Sequence, residues 1–361
     1  MIRIRIGQIE EILEDYQDLT ILKVLVEGER AKAVHYPKIT GSVRVGQQVV
    51  LNTTAKKMGL GTGGYHFVLY PLGNDDFDPP EEGHIMKLRY TPYQVKLLSE
   101  EEGDSPHHQR LKEEDKIDGL PVIVAPLHSM ITPIVAVARH YEPDIKIGYL
   151  MSDGGALPLP LSKLVRFLVE RNWLAGTITF GHAFGGDLEA VNIYTALLMA
   201  YHILEVDLAI VAMGPGIVGT GTPYGFSGTE QAHFLHAIHQ LEGQPIAVPR
   251  ISFADKRERH WGISHHSQTV LGKLALVESQ LALLEADGEK GQLIEEQLHE
   301  SGIGQKHQIK YYPASLVESI LDDKSLKLRT MGRGYNEARE FFNTAGLAGY
   351  LAVENLRDKE Y

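Results

Sequence analysis

Five short apolar segments between residues 119 and 252 are each followed directly by a segment rich in Gly, His, Asp, Ser or Thr. Apolar runs of this length, rich in β-branched residues, indicate buried strands. Open parallel α/β sheets bind their ligands at the carboxyl ends of the strands, so we expect the five polar segments to lie at one edge. The apolar runs are PVIVAPL (121–127), IKIGYLM (145–151), TITFG (177–181), LAIVAM (208–213) and PIAVP (245–249).

Between these runs lie segments whose apolar residues have helical spacing. The alternation of predicted strands and helices predicts an α/β fold with a doubly wound, mostly parallel sheet. Capping-box patterns mark two helix starts, at Ser227 with Glu230 and at Ser315 with Glu318. A further strand is expected within HQIKYYP (307–313). The predicted helices lie at about 131–140, 160–172, 187–204, 227–241 and 264–285.

The first hundred residues are different, because short β-branched runs alternate there with Gly, Pro and Asn and no long helical pattern interrupts them. This spacing predicts a small all-β, barrel-like domain over residues 1–105. Residues 106–118 end an acidic, broken stretch that begins at 74, and we interpret them as an acidic linker to a Rossmann-like domain over 119–361. The β runs are ILKVLVEG (21–28), AKAVHYP (31–37), GSVRVGQQVVLN (41–52), YHFVLYPL (65–72) and KLRYTPYQVKLL (87–98).

Charge and composition exclude several functional classes. A formal net charge of −12 argues against a dedicated nucleic-acid binder, although a local pocket can still be positive and hold a small anion. The absence of cysteine excludes disulfides, thiolate zinc sites and a cysteine nucleophile. We see no signal peptide, and the longest apolar stretch (193–213) contains charged residues, which predicts a protein without a membrane segment, located in the cytoplasm.

The segment GHAFGGDLEAVN (181–192) is expected to join a strand to a helix. Gly185 and Gly186 would then let backbone N–H groups approach an anion at the helix N-terminus. His182 and Asp187 stand beside this turn, and with Asp153 they would form a ligand set for a divalent metal ion that bridges to phosphate. Asp187 equally fits a plain helix N-cap.

Asp153 follows the second strand and His128 follows the first. A carboxylate at a strand's carboxyl end is typical of a general base or a metal ligand, and a histidine there can titrate near neutral pH. We therefore predict Asp153, His182 and His128 as catalytic groups. A turn aspartate and a structural histidine are the alternatives.

The longest glycine-rich segment is GPGIVGTGTPYGFSGTE (214–230). Gly214, Gly216 and Gly219 match the dinucleotide spacing GxGxxG, but that fingerprint opens a helix at once, and here the next helix start is predicted only at Ser227. We predict instead a loop that closes over a ligand with these glycines and the Thr220 and Thr222 hydroxyls. A wide structural connection is the alternative.

Arg250 ends the fifth strand and suits a phosphate or carboxylate ligand, because a guanidinium group binds such anions through two parallel hydrogen bonds. The charge run KRER (256–259) is interpreted as solvated surface.

Three segments carry a resemblance to a known family: MSDGGALPLPLSKLV (151–165), GHAFGGDLEAVN (181–192) and MGPGIVGTGTPYGFSG (213–228). With them the chain resembles, over its full length, the bacterial family named domain of unknown function 3866. The resemblance implies a bacterial, cytoplasmic protein and carries no reaction, substrate or catalytic residue.

These observations predict an enzyme that acts on a small anionic, for example phosphorylated, metabolite at the carboxyl edge of the sheet. A non-catalytic metabolite sensor or interaction protein is the second hypothesis. An RNA-binding N-terminal barrel is the third, and its few aromatic residues at alternating strand positions disfavour it. The sequence leaves open whether chemistry occurs, which divalent metal takes part and whether the chain forms homo-oligomers.

Overall fold

The computed structural model describes residues 1–60, 63–74, 78 and 81–358. Its contacts divide the chain into two compact units, Met1–Leu97 and Leu98–Tyr361. Residues 106–118, interpreted from the sequence as a linker, contain a short helix and belong to the second unit, where Leu111 and Ile117 are buried.

The N-terminal unit is built around a closed five-stranded barrel with the strand order β1-β2-β3-β5-β4. β3 and β5 pair in parallel, and the other neighbouring strands are antiparallel. This Greek-key order is the one found in OB-fold barrels. The barrel strands are β1 (Ile4–Asp15), β2 (Thr20–Val26), β3 (Glu29–His35), β4 (Gln48–Asn52) and β5 (Tyr65–Pro71). The same unit contains a separate two-stranded sheet of β6 (Ile85–Lys87) and β7 (Val95–Leu97), and the short helices α1 (Pro37–Thr40) and α2 (Thr54–Lys57).

The barrel confirms the predicted small all-β domain. Its core contains Ile9, Leu22, Val24 and Leu51, contributed by three different strands. β1 closes the barrel because it pairs with both β2 and β4, and two register shifts along its pairing with β2 let it bend between them. β1 was not among the strands predicted from the sequence.

The C-terminal unit contains an eight-stranded sheet in which every pair of neighbours is parallel, with the order β11-β10-β9-β12-β8-β13-β16-β17. The elements on and around it are α3 (His108–Glu113), β8 (Pro121–Val124), α4 (Ile131–Tyr141), β9 (Ile147–Ser152), α5 (Lys163–Glu170), β10 (Gly176–Phe180), β11 (Leu188–Ala190), α6 (Ile193–His202), β12 (Leu208–Met213), α7 (Glu230–Gln240), β13 (Gln244–Ala247), β14 (Ile251–Ser252), β15 (Gly262–Ile263), α8 (His265–Ser267), β16 (Gln280–Leu284), α9 (Gly288–Ser301), α10 (Ile303–Lys306), β17 (Gln308–Tyr312), α11 (Glu318–Leu321), β18 (Arg329–Thr330), β19 (Arg333–Gly334) and α12 (Arg339–Arg357).

Helices cover both faces of this sheet, which confirms the predicted doubly wound α/β fold. α4, α5 and α12 pack on one face and α6, α7 and α9 on the other, with alternate residues of β12 in each of the two cores. The central strands are therefore buried on both sides, and they read in the sequence as continuous apolar runs.

The winding reverses in the middle of the sheet. From β8 the chain moves to β9 on one side, and from β12 it moves to β13 on the other, although β8 and β12 are neighbours. The loops that leave these two strands therefore diverge and open a crevice at their carboxyl ends.

Two predicted helices are wrong in extent. The helix expected over 187–204 begins at Ile193, where the Asn192 side chain accepts hydrogen bonds from the N–H groups of Tyr194 and Thr195, because 188–190 form an edge strand instead. The helix expected over 264–285 is replaced by α8, a π-helical segment (Gln268–Leu274) and β16.

Neither predicted capping box forms. The residues that precede α7 and α11 make no side-chain cap, and the Glu230 carboxylate accepts a hydrogen bond from Ser152 instead. Within the described part of the chain, no helix combines the length and apolar character needed to cross a bilayer.

Candidate functional site

The polar residues predicted from the strand ends lie along one edge of the sheet. His128, Asp153, His182 and Gly216 follow the carboxyl ends of β8, β9, β10 and β12, which are parallel. Around this edge the side chains form two groups, which we call the basic pocket and the carboxylate cluster.

The basic pocket is a cavity of about 220 Å³ at the crevice between the diverging loops. Its wall combines the end of the β8 strand, the loop after β12, the start of α7 and the segment that follows β13. The residues that line it are Pro126, Leu127, Ile217, Val218, Gly219, Gly221, Phe226, Gly228, Gln231, Arg250, Arg257, Arg259, His260, His266, Ser267, Val270 and Met331.

Arg250, predicted as an anion ligand, lies in this wall with 7% of its surface exposed. Its Nη2 donates to Asp255 Oδ2 at 2.9 Å and its Nη1 donates to His260 Nδ1 at 2.7 Å. These contacts hold the guanidinium plane in place. A fixed guanidinium group loses little freedom when an anion binds beside it.

Two arginines of the run KRER, predicted from the sequence to be solvated surface, also line the pocket: Arg257 and Arg259. Arg257 donates to both carboxylate oxygens of Asp255, so the guanidinium groups of Arg250 and Arg257 share one carboxylate. The hydrogen bonds from Arg257, which have the largest effect, and from Arg250 hold the pKa of Asp255 far below its usual range. Arg259 is exposed and makes no hydrogen bond or ion pair with the described residues, so the group retains excess positive charge.

Neutral histidine rings lie beside the arginines of the pocket, and His260 and His266 line it. His260, His265 and His266 pack together, with ring centroids 4.1–5.4 Å apart. Burial, followed by the charge of Arg250, lowers the pKa of His260 to about 3, and burial with neighbouring cationic groups lowers that of His266 to about 4. Because His260 Nδ1 accepts from Arg250, the proton of the neutral ring sits on Nε2, which remains a donor.

The loop after β12 covers the pocket and is organised by its own contacts. Thr220 N donates to Gly225 O at 2.8 Å, and the Thr220 and Thr222 hydroxyls lie 3.0 Å apart within the same turn. The predicted hydroxyl ligands therefore bond inside the loop, whereas Gly219 lines the cavity. Phe226 anchors the loop by stacking on His266, with centroids 3.9 Å apart and ring planes 12° from parallel.

Close backbone contact fixes the start of this loop. A Cβ on Gly155 would overlap Gly214 O, and one on Gly214 would overlap Ala156 O, while Ala156 N donates to Pro215 O at 2.8 Å. Gly216 has a φ of 111° and open space around it. Gly155 and Gly214 therefore allow the close packing of the backbone, and Gly216 allows the left-handed turn. Gly214 and Gly216 were predicted from the sequence to bind a ligand.

Gln231, the second residue of α7, closes the base of the pocket. Its Nε2 donates to Val124 O at 2.8 Å and to Val248 O at 3.1 Å, so it links the ends of β8 and β13. Its Oε1 is buried and has no hydrogen-bond partner among the described residues. The sequence carries no signal for this role beyond a polar residue on the buried face of α7.

The carboxylate cluster consists of Ser152, Asp153 and Glu230 at the end of β9. Ser152 Oγ donates to Glu230 Oε1 at 2.6 Å, and the Glu230 carboxylate presses against Gly154, where a Cβ would lie 2.5 Å from Oε2. Burial, reinforced by the charge of Asp153, raises the pKa of Glu230 to about 7. Sequence reasoning missed Glu230 because its spacing from Ser227 suggested a helix cap.

Asp153 and His182 are neighbours, because Asp153 Oδ2 accepts the His182 backbone N–H at 2.9 Å. Gly181, with a φ of 68°, lets the two segments meet, since a Cβ there would lie 2.6 Å from the Asp153 carboxylate. The structure thus brings together two of the three residues predicted to do chemistry.

The predicted anion cradle at 185–187 has a different structure. Gly185 N donates to Glu189 Oε1 at 2.6 Å and Gly186 N donates to Thr179 Oγ1 at 3.1 Å, so both amides are already bonded. Asp187 Oδ2 accepts from the backbone N–H and hydroxyl of Thr177, both at 2.8 Å. No helix starts at this turn, because the chain passes into β11.

Asp187 also lies at the wrong end of the strand for the predicted metal site. Thr177 is near the amino end of β10 and His182 follows its carboxyl end, so with a rise of about 3.3 Å per residue the two positions are on the order of 15 Å apart. Among the described residues, no group of three or more His, Asp or Glu side chains is arranged to hold a metal ion.

His128 is held at the junction of three elements. Its Nδ1 donates to Met213 O at 3.1 Å, and its Nε2 accepts from the hydroxyl of Ser162, the N-cap of α5, at 2.6 Å. Burial lowers the pKa of His128 to about 4. With both ring nitrogens engaged, this side chain ties the β8 and β12 ends to α5.

The chain belongs to the family described as protein of unknown function (DUF3866), whose model matches residues 32–349 and so spans parts of both units. None of the curated proteins matches the chain.

Proposed function

We propose that this member of the DUF3866 family is an enzyme that acts on a small anionic metabolite bound in the basic pocket. The observation that carries the proposal is the group of three arginine side chains, with two neutral histidine rings, around a cavity at the switch point of the sheet. The chain as a whole has a formal net charge of −12, so the positive charge of the pocket is a local feature that runs against the overall charge.

The dimensions of the pocket limit the size of the ligand. Drug-sized ligands occupy roughly 300–1,000 Å³, and a cavity of about 220 Å³ is smaller than that range. A carboxylate or phosphate ester of a few carbon atoms fits this volume. Guanidinium groups recognise both kinds of anion by paired hydrogen bonds.

Glu230 supports catalysis. A carboxyl group whose pKa is about 7 exchanges a proton readily at neutral pH, as a general acid or base must. Asp153 carries negative charge next to it and disfavours its ionisation. We assign Glu230 the proton transfer, with Asp153 and Ser152 setting its proton affinity.

Metabolite binding without chemistry is the second candidate. One observation favours it: none of Glu230, Asp153 and His182 is among the residues that line the cavity. In that case the ligand would act as a signal that the loop after β12 transmits.

Binding is tested by thermal unfolding of the full chain with inorganic phosphate, phosphate esters and small carboxylic acids. A ligand at a hundredfold its Kd stabilises the protein by about 2.7 kcal/mol. Arg259→Gln is expected to weaken binding about tenfold, because a hydrogen bond to a charged group contributes about 1.5–3 kcal/mol. Lys256→Gln is the matched control, since Lys256 is exposed in the same segment but does not line the pocket.

Stabilisation by none of these anions, or equal effects of the two substitutions, would exclude the pocket as an anion site. Catalysis is tested by following each bound compound with NMR. Conversion by the wild type and not by Glu230→Gln, with binding retained, supports the enzyme. Binding without conversion of any compound supports the sensor.

A further inference from the structure

The wall of the basic pocket carries more positive charge than neighbouring carboxylates balance. Arg250, Arg257 and Arg259 line it, and none of the described residues that line it is Asp or Glu. Asp255, which does not line the cavity, accepts hydrogen bonds from both Arg250 and Arg257. The two histidine rings of the wall are neutral at pH 7. Three guanidinium groups and one carboxylate therefore give an excess of two positive charges.

This excess charge is not balanced within the segment that supplies it. Glu258 is the other acidic residue of 250–260, and it is exposed and does not line the cavity. Burial is the main cause of the lowered pKa of Arg250, and the charges of Arg257 and Arg333 lower it further against the opposing effect of Asp255. The arginines therefore repel one another. An anion with two charges offsets this repulsion better than an anion with one.

The hydrogen-bonding capacity of the wall points in the same direction. Each guanidinium group carries five N–H donors and no acceptor. The bonds to Asp255 and His260 use only some of the donors of Arg250 and Arg257, and Arg259 bonds to none of the described residues. A phosphate monoester offers three strong acceptor oxygens, whereas a carboxylate offers two. A phosphate group therefore pairs with more of these donors.

We propose that the ligand of the basic pocket is a phosphate monoester bound as its dianion, in preference to a carboxylate. The inference rests on the proposed function and narrows the ligand class from small anions to this one group. A phosphate monoester places both of its negative charges on a single small group, which suits a cavity of about 220 Å³. Planar guanidinium groups match the geometry of phosphate oxygens by paired hydrogen bonds.

Calorimetric titration of the full chain with three ethyl compounds tests the inference. Ethyl phosphate is a dianion at about pH 8, because its second pKa is about 6. Ethyl sulfate has the same tetrahedral shape with one charge, and propionate carries one charge on a carboxylate. Low ionic strength is used because salt screens such interactions. We expect ethyl phosphate to bind about tenfold more tightly than either, the factor that one additional hydrogen bond to a charged group supplies.

The outcomes separate this inference from the proposed function. If ethyl sulfate or propionate binds as tightly as ethyl phosphate, the preference for a phosphate dianion is overturned, and the pocket remains a site for small anions. Failure of all three compounds to bind overturns both.

A substitution assigns the preference to the charge of the pocket. Arg259→Gln removes one positive charge and breaks no bond to the described residues. We expect it to weaken ethyl phosphate about tenfold and ethyl sulfate about threefold, because the Coulomb energy scales with the charge of the ligand. Lys256→Gln is the matched control, since it removes a charge from the same exposed run outside the wall. A preference that survives Arg259→Gln unchanged, or that falls equally in Lys256→Gln, overturns the inference.

Discussion

Glu230 and Gln231 are adjacent in the chain, yet their side chains bond to different strands at the edge of the sheet. Glu230 accepts the Ser152 hydroxyl at the end of β9, whereas Gln231 donates to Val124 and Val248 at the ends of β8 and β13. Successive residues of a helix point about 100° apart, so the first turn of α7 reaches both sides of the central crevice. The carboxylate cluster and the basic pocket are therefore joined through one rigid turn.

The raised pKa of Glu230 makes stability depend on pH in a defined direction. In the unfolded chain this carboxyl ionises with a pKa near 4.5, and in the folded protein near 7. Between these values the unfolded state releases the proton first, so stability is lost as pH rises from 4.5 to 7. Glu230→Gln removes the free-energy cost of ionising this buried carboxyl, and should stabilise the protein by about 3 kcal/mol at pH 8 and by little at pH 4.5.

Urea unfolding followed by tryptophan fluorescence measures this difference, since Trp173 and Trp261 both lie in the C-terminal unit. Glu296→Gln, an exposed position on α9, is the control and should show no such dependence. If Glu230→Gln raised the free energy of unfolding by the same amount at every pH, the pKa of Glu230 would not be raised by burial.

His128 should give the opposite dependence. Its pKa is about 4 in the folded protein and near 6.5 when unfolded, so its contribution to stability is present above pH 6.5 and is lost as pH falls towards 4. Protonation would break the bond from Ser162 to Nε2. His128→Gln should lower the unfolding free energy by about 1–2 kcal/mol at pH 7.5, and this deficit should shrink at pH 5.

The same fluorescence-monitored unfolding, repeated across this pH range, tests the prediction. His239→Gln, an exposed change on α7, should leave the pH profile as it is in the wild type. If the loss of unfolding free energy in His128→Gln became larger as the pH falls, the fold would not hold the His128 ring in its neutral form.

The sheet could be predicted from the sequence because its central strands are buried on both faces. β8, β9, β10, β12 and β13 all lie at the predicted runs, where continuous apolar sequence leaves few other structures. β11 could not be predicted. Its three residues lie at a sheet edge and carry no strand pattern, and the apolar spacing over 187–204 continues through them. The helix was therefore predicted to begin at 187, whereas it begins at Ile193.

The candidate site was harder to predict, because its contacts join residues far apart in the chain. Ser152 and Glu230 are 78 positions apart, and nothing local to Glu230 distinguishes a cap from a buried carboxyl. Arg257 and Arg259 belong to a charge run that is equally typical of solvated surface. Only the fold places them above the crevice. Arg250 could be chosen as a candidate from the sequence because it directly follows the predicted apolar run 245–249.

Gly155→Ala tests the close crossing of the chain at the start of the glycine-rich loop. The added Cβ would overlap the carbonyl oxygen of Gly214, and backbone atoms cannot move aside as a flexible side chain can. We expect a loss of about 2–4 kcal/mol in unfolding free energy and weaker anion binding, because the loop would be displaced. Gly103→Ala, which meets nothing within 4 Å, is the control. Equal stability of the two variants would show that the crossing is not tight.

Phe226→Ala tests whether the loop after β12 holds the basic pocket closed. Phe226 is 6% exposed and stacks on His266, so its removal leaves a space beside the ring and should cost about 3 kcal/mol of stability. Because burial is the main cause of the low pKa of His266, opening the loop should raise that pKa from about 4 towards 6.5. NMR titration of the ring, assigned by comparison with His266→Gln, measures the shift directly. Tyr224→Ala, at an exposed position of the same loop, should change neither quantity. A His266 pKa that stays near 4 in Phe226→Ala would mean that other residues exclude water from the pocket, and that the stacked ring pair does not hold the loop.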